Sequence, residues 1–425
     1  MDAADSAGHG WYRFILSFPP HLVREYVNRL GIDSHQKVLD PFCGTATTVV
    51  ECKKLGIASM GVEAHPMPHF AGQVKTDWTI NPDELLNHAT QIADAVQHEL
   101  ASQGINDDVD SSDRLNDIDL LTLPAESMRL LLTDSMSPMP MHKTLVLLKH
   151  LQERSGSQFH RHELLALAKS LVSKIGNLHF GPEVGISPAK PDVAVVSTWL
   201  ENVTVMAEDL RQLGSSMHTP AAVYRADSRQ LMRAVPADSI DAIITSPPYP
   251  NEKDYTRTTR LESVLLGLVR DRAEMKQLKQ SLMRSNTRNV YKGDDDDVWV
   301  ADHAEIQRIA KEIEDRRIAM KKTSGFERLY AKVTKLYFGG MARHFDELKA
   351  VLRPGARLAY VVGDQASYLQ VMIRTGQLLA DIAERQGYEV IGIDLFRTRL
   401  ATATNQQLRE EVVLLRWPGT SSTIH

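Results

Sequence analysis

The sequence predicts an α/β fold: a mostly parallel sheet of seven strands that alternates with helices and is interrupted by helical insertions. Three observations predict it. Short aliphatic runs at 37–40, 58–62, 222–226, 240–245 and 356–362 are interleaved with segments of helical periodicity, the pattern of parallel strands joined by crossovers. The first and fourth of these runs stop abruptly at loops of unusual composition. Two final runs, 388–395 and 411–417, are joined without a helix-length crossover and read as an antiparallel pair.

At 425 residues the chain exceeds one minimal domain, so a catalytic domain with insertions is expected. No apolar run approaches the ~20 residues that cross a bilayer, and residues 1–10 are small and acidic rather than basic and apolar. The expectation is a cytoplasmic protein with no membrane partner. Cys43 and Cys52 lie outside any Cys-x-x-Cys spacing and have no evident histidine partner, so both read as packed side chains and no metal site is expected. His160-Arg161-His162-Glu163 begins like a zinc-binding helix, but Ala166 stands where the second histidine belongs, so it reads as a polar helix face. The net charge of −5 requires uneven distribution if the partner is a polyanion.

In chain order, Trp11-Tyr12-Arg13-Phe14 and Phe18-Pro19-Pro20 lead into a helix over 21–30, with proline at its start and Gly31 past its end. Next, Lys37-Val38-Leu39-Asp40-Pro41-Phe42-Cys43-Gly44-Thr45-Ala46-Thr47-Thr48 runs from strand through a small-residue loop directly into a helix over 45–55. Such a turn points backbone N–H groups and a helix N-terminus at the carboxylate of an amino-acid-like ligand. The G-x-G-x-x-G of nicotinamide and flavin folds is missing. Glu63, ending the second strand, is placed to accept two ribose hydroxyls. From 82 to 213 the pattern becomes helical (82–102, 124–132, 142–152, 161–174, 192–213), with an acidic segment at 107–119 and Gly/Pro-rich breaks. Asp227 ends the third strand, where it would accept an adenine amine.

The fourth strand meets Thr245-Ser246-Pro247-Pro248-Tyr249-Pro250-Asn251. Proline cannot continue a ladder, so a stiff loop forms past the carboxyl end of the strand, the edge where open α/β sheets bind ligands. The loop offers a hydroxyl, fixed carbonyls and a restrained aromatic ring, which suit a planar amine. A conjugated exocyclic amine is a poor nucleophile. Accepting its N–H bonds at Ser246 and the Pro247 carbonyl would draw the nitrogen toward tetrahedral geometry while Tyr249 stacks on the base. The plainer alternative is a proline-rich turn that ends a strand.

A helix over 257–268 follows, and residues 253–292 carry ten basic residues against four acids. Arg284-Ser285-Asn286-Thr287-Arg288-Asn289 reads as a loop able to reach phosphates or base edges. Asp294 to Asp297 lack metal-site spacing and read as a solvated loop. Helices are expected over 301–322, 326–352 and 367–386.

The Ser246 loop resembles the Ser/Asp/Asn-Pro-Pro-Tyr signature of the DNA amino-methyltransferases, and its serine form, extended through Asp254-Tyr255-Thr256-Arg257, is closer to the cytosine-N4 branch. The Asp40 loop resembles that family's Asp-Pro-Phe-x-Gly-x-Gly-Thr-Thr loop, with Ala46 in place of the second glycine. If φ > 0 is required there, alanine costs roughly 1–2 kcal/mol. The resemblance covers 11–76 and 221–417 and implies a Rossmann-like methyltransferase sheet that binds S-adenosyl-L-methionine through Tyr12, Asp40, Phe42, Gly44, Thr45, Thr48, Glu63 and Asp227. It implies catalysis at Ser246, Pro247, Pro248 and Tyr249 on a base flipped from double-stranded DNA. Residues 82–213 are then a helical insertion, and 270–325 a basic, then acidic, candidate target-recognition insertion. Arg257, Arg284 and Arg288 are expected to contact DNA. Adenine-N6 methylation, RNA methylation and a catalytically silent cofactor- or DNA-binding module stay open as alternatives, as do a cognate restriction or defence-system partner and a homodimer.

Overall fold

The computed structural model describes residues 5–13, 18–110, 118–181, 183–251, 253–400 and 407–419; Phe14 and part of the acidic segment 107–119 lie outside the described residues. Among these, nine strands form two sheets: β1 Lys37–Asp40, β2 Ala58–Val62, β3 Leu178–Phe180, β4 Val184–Ile186, β5 Ala221–Tyr224, β6 Ile240–Thr245, β7 Leu352–Gly363, β8 Glu389–Leu400 and β9 Gln407–Arg416. The chain divides into two compact units. One comprises Met1–Ser17, Pro66–Thr219 and Tyr255–Gln277, the other Phe18–His65, Pro220–Asp254 and Leu278–His425.

The second unit is an α/β domain on a seven-stranded sheet of order β5-β2-β1-β6-β7-β9-β8. The pairs from β5 through β7 are parallel, and β9 runs antiparallel to both β7 and β8. Near-continuous aliphatic strands are what two covered faces require. Along β6, Ile243 joins a cluster containing Tyr337, Phe345 and Leu379, while Ala242 and Ile244 join the opposite cluster with Leu22, Val23 and Tyr26. The strand order reverses between β1 and β6, since the chain builds outward through β2 and β5 before returning to β6. The loops following β1 and β6 therefore leave the carboxyl edge side by side, where such sheets bind ligands.

The first unit is mainly helical, with long helices Pro82–Ser102, Pro138–Glu153, His160–Ser170 and Val196–Leu213 and the small β3–β4 hairpin. The hairpin's second strand falls in the Gly/Pro-rich stretch around 181–191 that was read from sequence as a break, and its first lies just before it. The expected helix over 257–268 is two short ones, Tyr255–Thr258 and Arg260–Leu265. Two further expectations are corrected. His162 and Glu163 are buried rather than on a polar face: Glu163 Oε1 meets His88 Nδ1 at 2.6 Å, and its carbonyl accepts the Trp199 indole N–H. The run 294–297 is not simply solvated, because Asp294 holds Arg284 and the buried Asp296 takes Arg229 and Arg343.

Residues 66–75 form the helix Pro66–Lys75 in the mainly helical unit, and 278–325 contribute Met283, Val300, Ile306, Ile309 and Ile313 to the sheet's own core. Both cysteines are buried, and neither forms a disulfide among the described residues. Among the described residues no group of three or more His, Cys, Asp or Glu side chains could hold a metal ion, and no helix is long and apolar enough to cross a membrane.

Candidate active site

β1 ends at Asp40, whose side chain is fully buried. Its Oδ1 accepts from the Phe42 amide at 3.1 Å and from the Thr245 hydroxyl at 2.6 Å. Burial pushes the Asp40 carboxyl up to about 6, with those donors pulling it back. Thr48, also fully buried, donates its hydroxyl to the Ile244 carbonyl at 3.1 Å. These two expected cofactor contacts therefore stand behind the loop: their polar atoms tie the end of β1 and the helix Thr47–Lys54 to the end of β6. Thr45 is buried as well.

Gly44 sits at φ +49°, and a Cβ built on it would meet nothing within 4 Å. Bare backbone thus faces open space. The Gly44 N–H donates to Glu63 Oε2 at 3.0 Å, while Glu63 Oε1 accepts from the His65 amide at 2.7 Å. Burial raises the Glu63 carboxyl to about 7 even though amides at His65 and Gly44 stabilise its charge. Each carboxylate oxygen keeps a second lone pair for further donors. A half-buried glycine with open space at its Cβ position, beside a half-buried carboxylate that keeps lone pairs for further donors, fits the amino-acid and ribose parts of S-adenosylmethionine.

Ala46 lies in the left-handed region, φ 65° and ψ 39°, at the N-terminus of the helix Thr47–Lys54. Its methyl is fully buried among Cys43, Val49 and Val223. Alanine does occupy the conformation a glycine would take without strain.

Phe42 meets His344 edge-on, ring centroids 4.7 Å apart. Burial depresses His344 to about 4, so the ring is neutral at pH 7. Nδ1 lies 3.0 Å from the Ser228 carbonyl, which can only accept, so Nδ1 carries the proton and Nε2 accepts from the Tyr360 hydroxyl at 2.7 Å. One buried imidazole thereby braces the loops after β1 and β5 against β7. No sequence signal pointed to it.

Past β6, Ser246 is half-buried and donates its hydroxyl to the Val361 carbonyl at 3.1 Å. With its hydrogen committed, that oxygen presents lone pairs only. Pro247 is buried and Pro248 half-buried. The Tyr249 ring lies over Gly363 at the end of β7: a Cβ there would fall 2.8 Å from the ring's Cε2. Gly363 was legible as a strand end but not as the seat of an aromatic ring. Asp227, half-buried past β5, is held by both Nε and Nη2 of Arg229.

The expected DNA contacts separate. Arg284 is buried, bidentate to Asp294 at 2.8 Å and bonded to the carbonyls of Lys279 and Gln280, so the expectation that it reaches phosphates is corrected. Arg288 is exposed. Arg257, half-buried, belongs to the mainly helical unit and reaches the Val184 carbonyl at 3.4 Å. Tyr12 lies in that unit too, buried, its hydroxyl donating to Glu262 at 2.5 Å. Much of the basic excess over 253–292 is also internally paired, as in Arg270–Glu274 and Lys279–Asp254.

Residues 6–68 match a family model described as DNA methylase, of the N6/N4 methyltransferase type. Over 96% of its length the chain is 25% identical to the type II methyltransferase M.BsoBI of Geobacillus stearothermophilus, covering 84% of that protein. It is 24% identical to the type II methyltransferase M.AvaI of Nostoc sp., over 93% of this chain and 82% of the relative. A 67-residue stretch, 16% of this chain and 12% of the relative, is 34% identical to the type II methyltransferase M.MjaII of Methanocaldococcus jannaschii.

Proposed function

Because this chain belongs to the DNA amino-methyltransferase family, we propose that it methylates the exocyclic N4 of cytosine in double-stranded DNA, with S-adenosylmethionine as methyl donor and the target base flipped out of the helix. The observation that carries this reading is the convergence of the Gly44 and Ser246 loops at the switch point, joined by the bond from Thr245 to Asp40.

When bound, the cofactor supplies an electrophilic methyl on a sulfonium. Glu63 would accept from its ribose hydroxyls, Gly44 would leave room for its amino-acid end, and Asp227 would accept from its adenine. Ser246 and the Pro247 carbonyl accept the two N–H bonds of the target amine, which localises the nitrogen lone pair for attack. Tyr249 stacks on the base and fixes its plane. Rate acceleration then comes from orientation and placed acceptors, with no covalent intermediate. The Ser246 hydroxyl supports this role because its proton is given to Val361, so the amine meets an acceptor rather than a competing donor.

The test is nucleoside mass spectrometry of DNA incubated with protein and methyl-labelled cofactor. N4-methylcytosine is expected, whereas label on adenine N6 would move the protein to the sister activity and unlabelled DNA would end the reading.

A further inference from the structure

The last two strands outrun the sheet that carries them. β9 pairs with β7 as far as Gly363↔Glu410, whereas β8 and β9 continue together to Leu400↔Gln407. The extension starts at Gly363, the position on which the Tyr249 ring rests. It is cationic: residues 396–409 hold Arg397, Arg399 and Arg409 and no aspartate or glutamate.

Arg397 and Arg399, two residues apart, both lean on one carboxylate, Glu410, at 2.7 and 3.7 Å, with side chains 62% and 49% exposed. Two guanidinium groups over one carboxylate leave a net positive charge. Exposed pairs of this kind are screened and weakly held. A phosphate can take either fork, since guanidinium matches its oxygens in bidentate geometry. The same Gly363 that seats the Tyr249 ring lies against Glu410, the carboxylate both arginines share: a Cβ there would fall 3.6 Å from Glu410 Cγ. Arg284, one of the three arginines expected from sequence to contact DNA, is buried against Asp294.

We infer that the β8–β9 extension is a phosphate clamp, with Arg397 and Arg399 gripping the DNA backbone beside the nucleotide whose base rests on Tyr249. This rests on the DNA-methylation reading, because a base drawn onto that ring brings its own phosphate toward the root of the hairpin. The occupant is set by charge complementarity. Ile391, Leu395 and Leu400 are exposed along β8, so a second copy adding to this edge strand is the rival occupant.

The experiment measures duplex-DNA affinity against salt for the full-length protein, for R397A/R399A, for R397K/R399K, and for R416A, which removes the exposed pair to Glu389 at the far end of the hairpin. Losing two phosphate contacts lowers the slope of log K against log salt by about 1.8. R397A/R399A should show that drop and at least tenfold weaker binding at low salt, with unchanged S-adenosylmethionine affinity and thermal unfolding. R397K/R399K should keep the slope, and R416A should match wild type. An unchanged slope in R397A/R399A, with wild type still methylating DNA, overturns the clamp and leaves the activity standing. An unchanged slope with a shift from dimer to monomer assigns the edge to a second copy and likewise overturns it. Wild type that neither binds nor methylates duplex DNA removes both.

Discussion

The Thr245 hydroxyl donates to Asp40 Oδ1 across 2.6 Å, linking the last residue of β6 to the last residue of β1, 205 positions apart in the chain. Both side chains are fully buried. The bond fixes the spacing of the two loops and supplies a donor to a carboxylate that burial has already pushed up to about 6. Thr245→Val keeps the shape and leaves that carboxylate short of a partner, so the unfolding free energy should fall by about 1–3 kcal/mol in denaturant titration. An unchanged midpoint would mean the bond holds nothing.

Asp40 and Glu63 both have folded pKa values raised above the ordinary carboxyl range, to about 6 and about 7. At these two groups the folded chain therefore holds more protons than the unfolded chain between about pH 4 and pH 7. Their contribution to stability is fully present below that window and is lost as pH rises through 6 and 7. Cofactor binding should run the other way, because ribose hydroxyls donate to the charged carboxylate. S-adenosylmethionine affinity by calorimetry should rise between pH 5.5 and 7.5, and Glu63→Gln should flatten that rise. A flat wild-type profile would remove Glu63 from the cofactor site.

Ala46 carries opposing terms. Its left-handed backbone costs about 1–2 kcal/mol, its buried methyl returns about 0.8 kcal/mol, and glycine would add freedom to the unfolded chain. Ala46→Gly should accordingly shift unfolding by less than about 1 kcal/mol, while Ala46→Val, β-branched and overpacked, should destabilise by at least 2 kcal/mol. A large gain in the glycine variant would show the strain to be uncompensated.

A methyl at position 363 would fall inside the Tyr249 ring contact. Gly363→Ala should displace the ring and lower kcat/KM for DNA roughly tenfold to a hundredfold, as small misplacements of a positioning group do, without weakening cofactor binding. Steady-state kinetics with calorimetry alongside checks this. Full activity would mean the ring's position is immaterial.

The sheet and both loops were legible because their signals are local. Prolines after Thr245 must end a strand, and the proline and small residues from Pro41 to Thr45, Gly44 among them, must turn. The helix Val196–Leu213 was legible too, but not its N-terminal support: Asp107 accepts from the amides of Val195, Val196 and Ser197 across nearly ninety residues. Charged side chains were misread for the same reason. Arg284 reads as free to reach DNA and Asp296 as solvated, and only the folded structure supplies Asp294 to one and Arg229 to the other. His344 lies between Arg343 and Phe345 near the end of its helix, and its two partners lie elsewhere in the chain. Three-residue strands such as β3 and β4 carry too little periodicity to register.

The most direct measurement is Ser246→Ala, assayed for single-turnover methyl transfer to DNA and, on the same sample, for S-adenosylmethionine affinity. With the acceptor gone and the Gly44 and Glu63 side of the crevice intact, transfer should slow by roughly 10²–10³-fold while cofactor affinity stays within twofold. Transfer at the wild-type rate, or a parallel loss of both, would contradict the assignment of Ser246 as the group that prepares the amine.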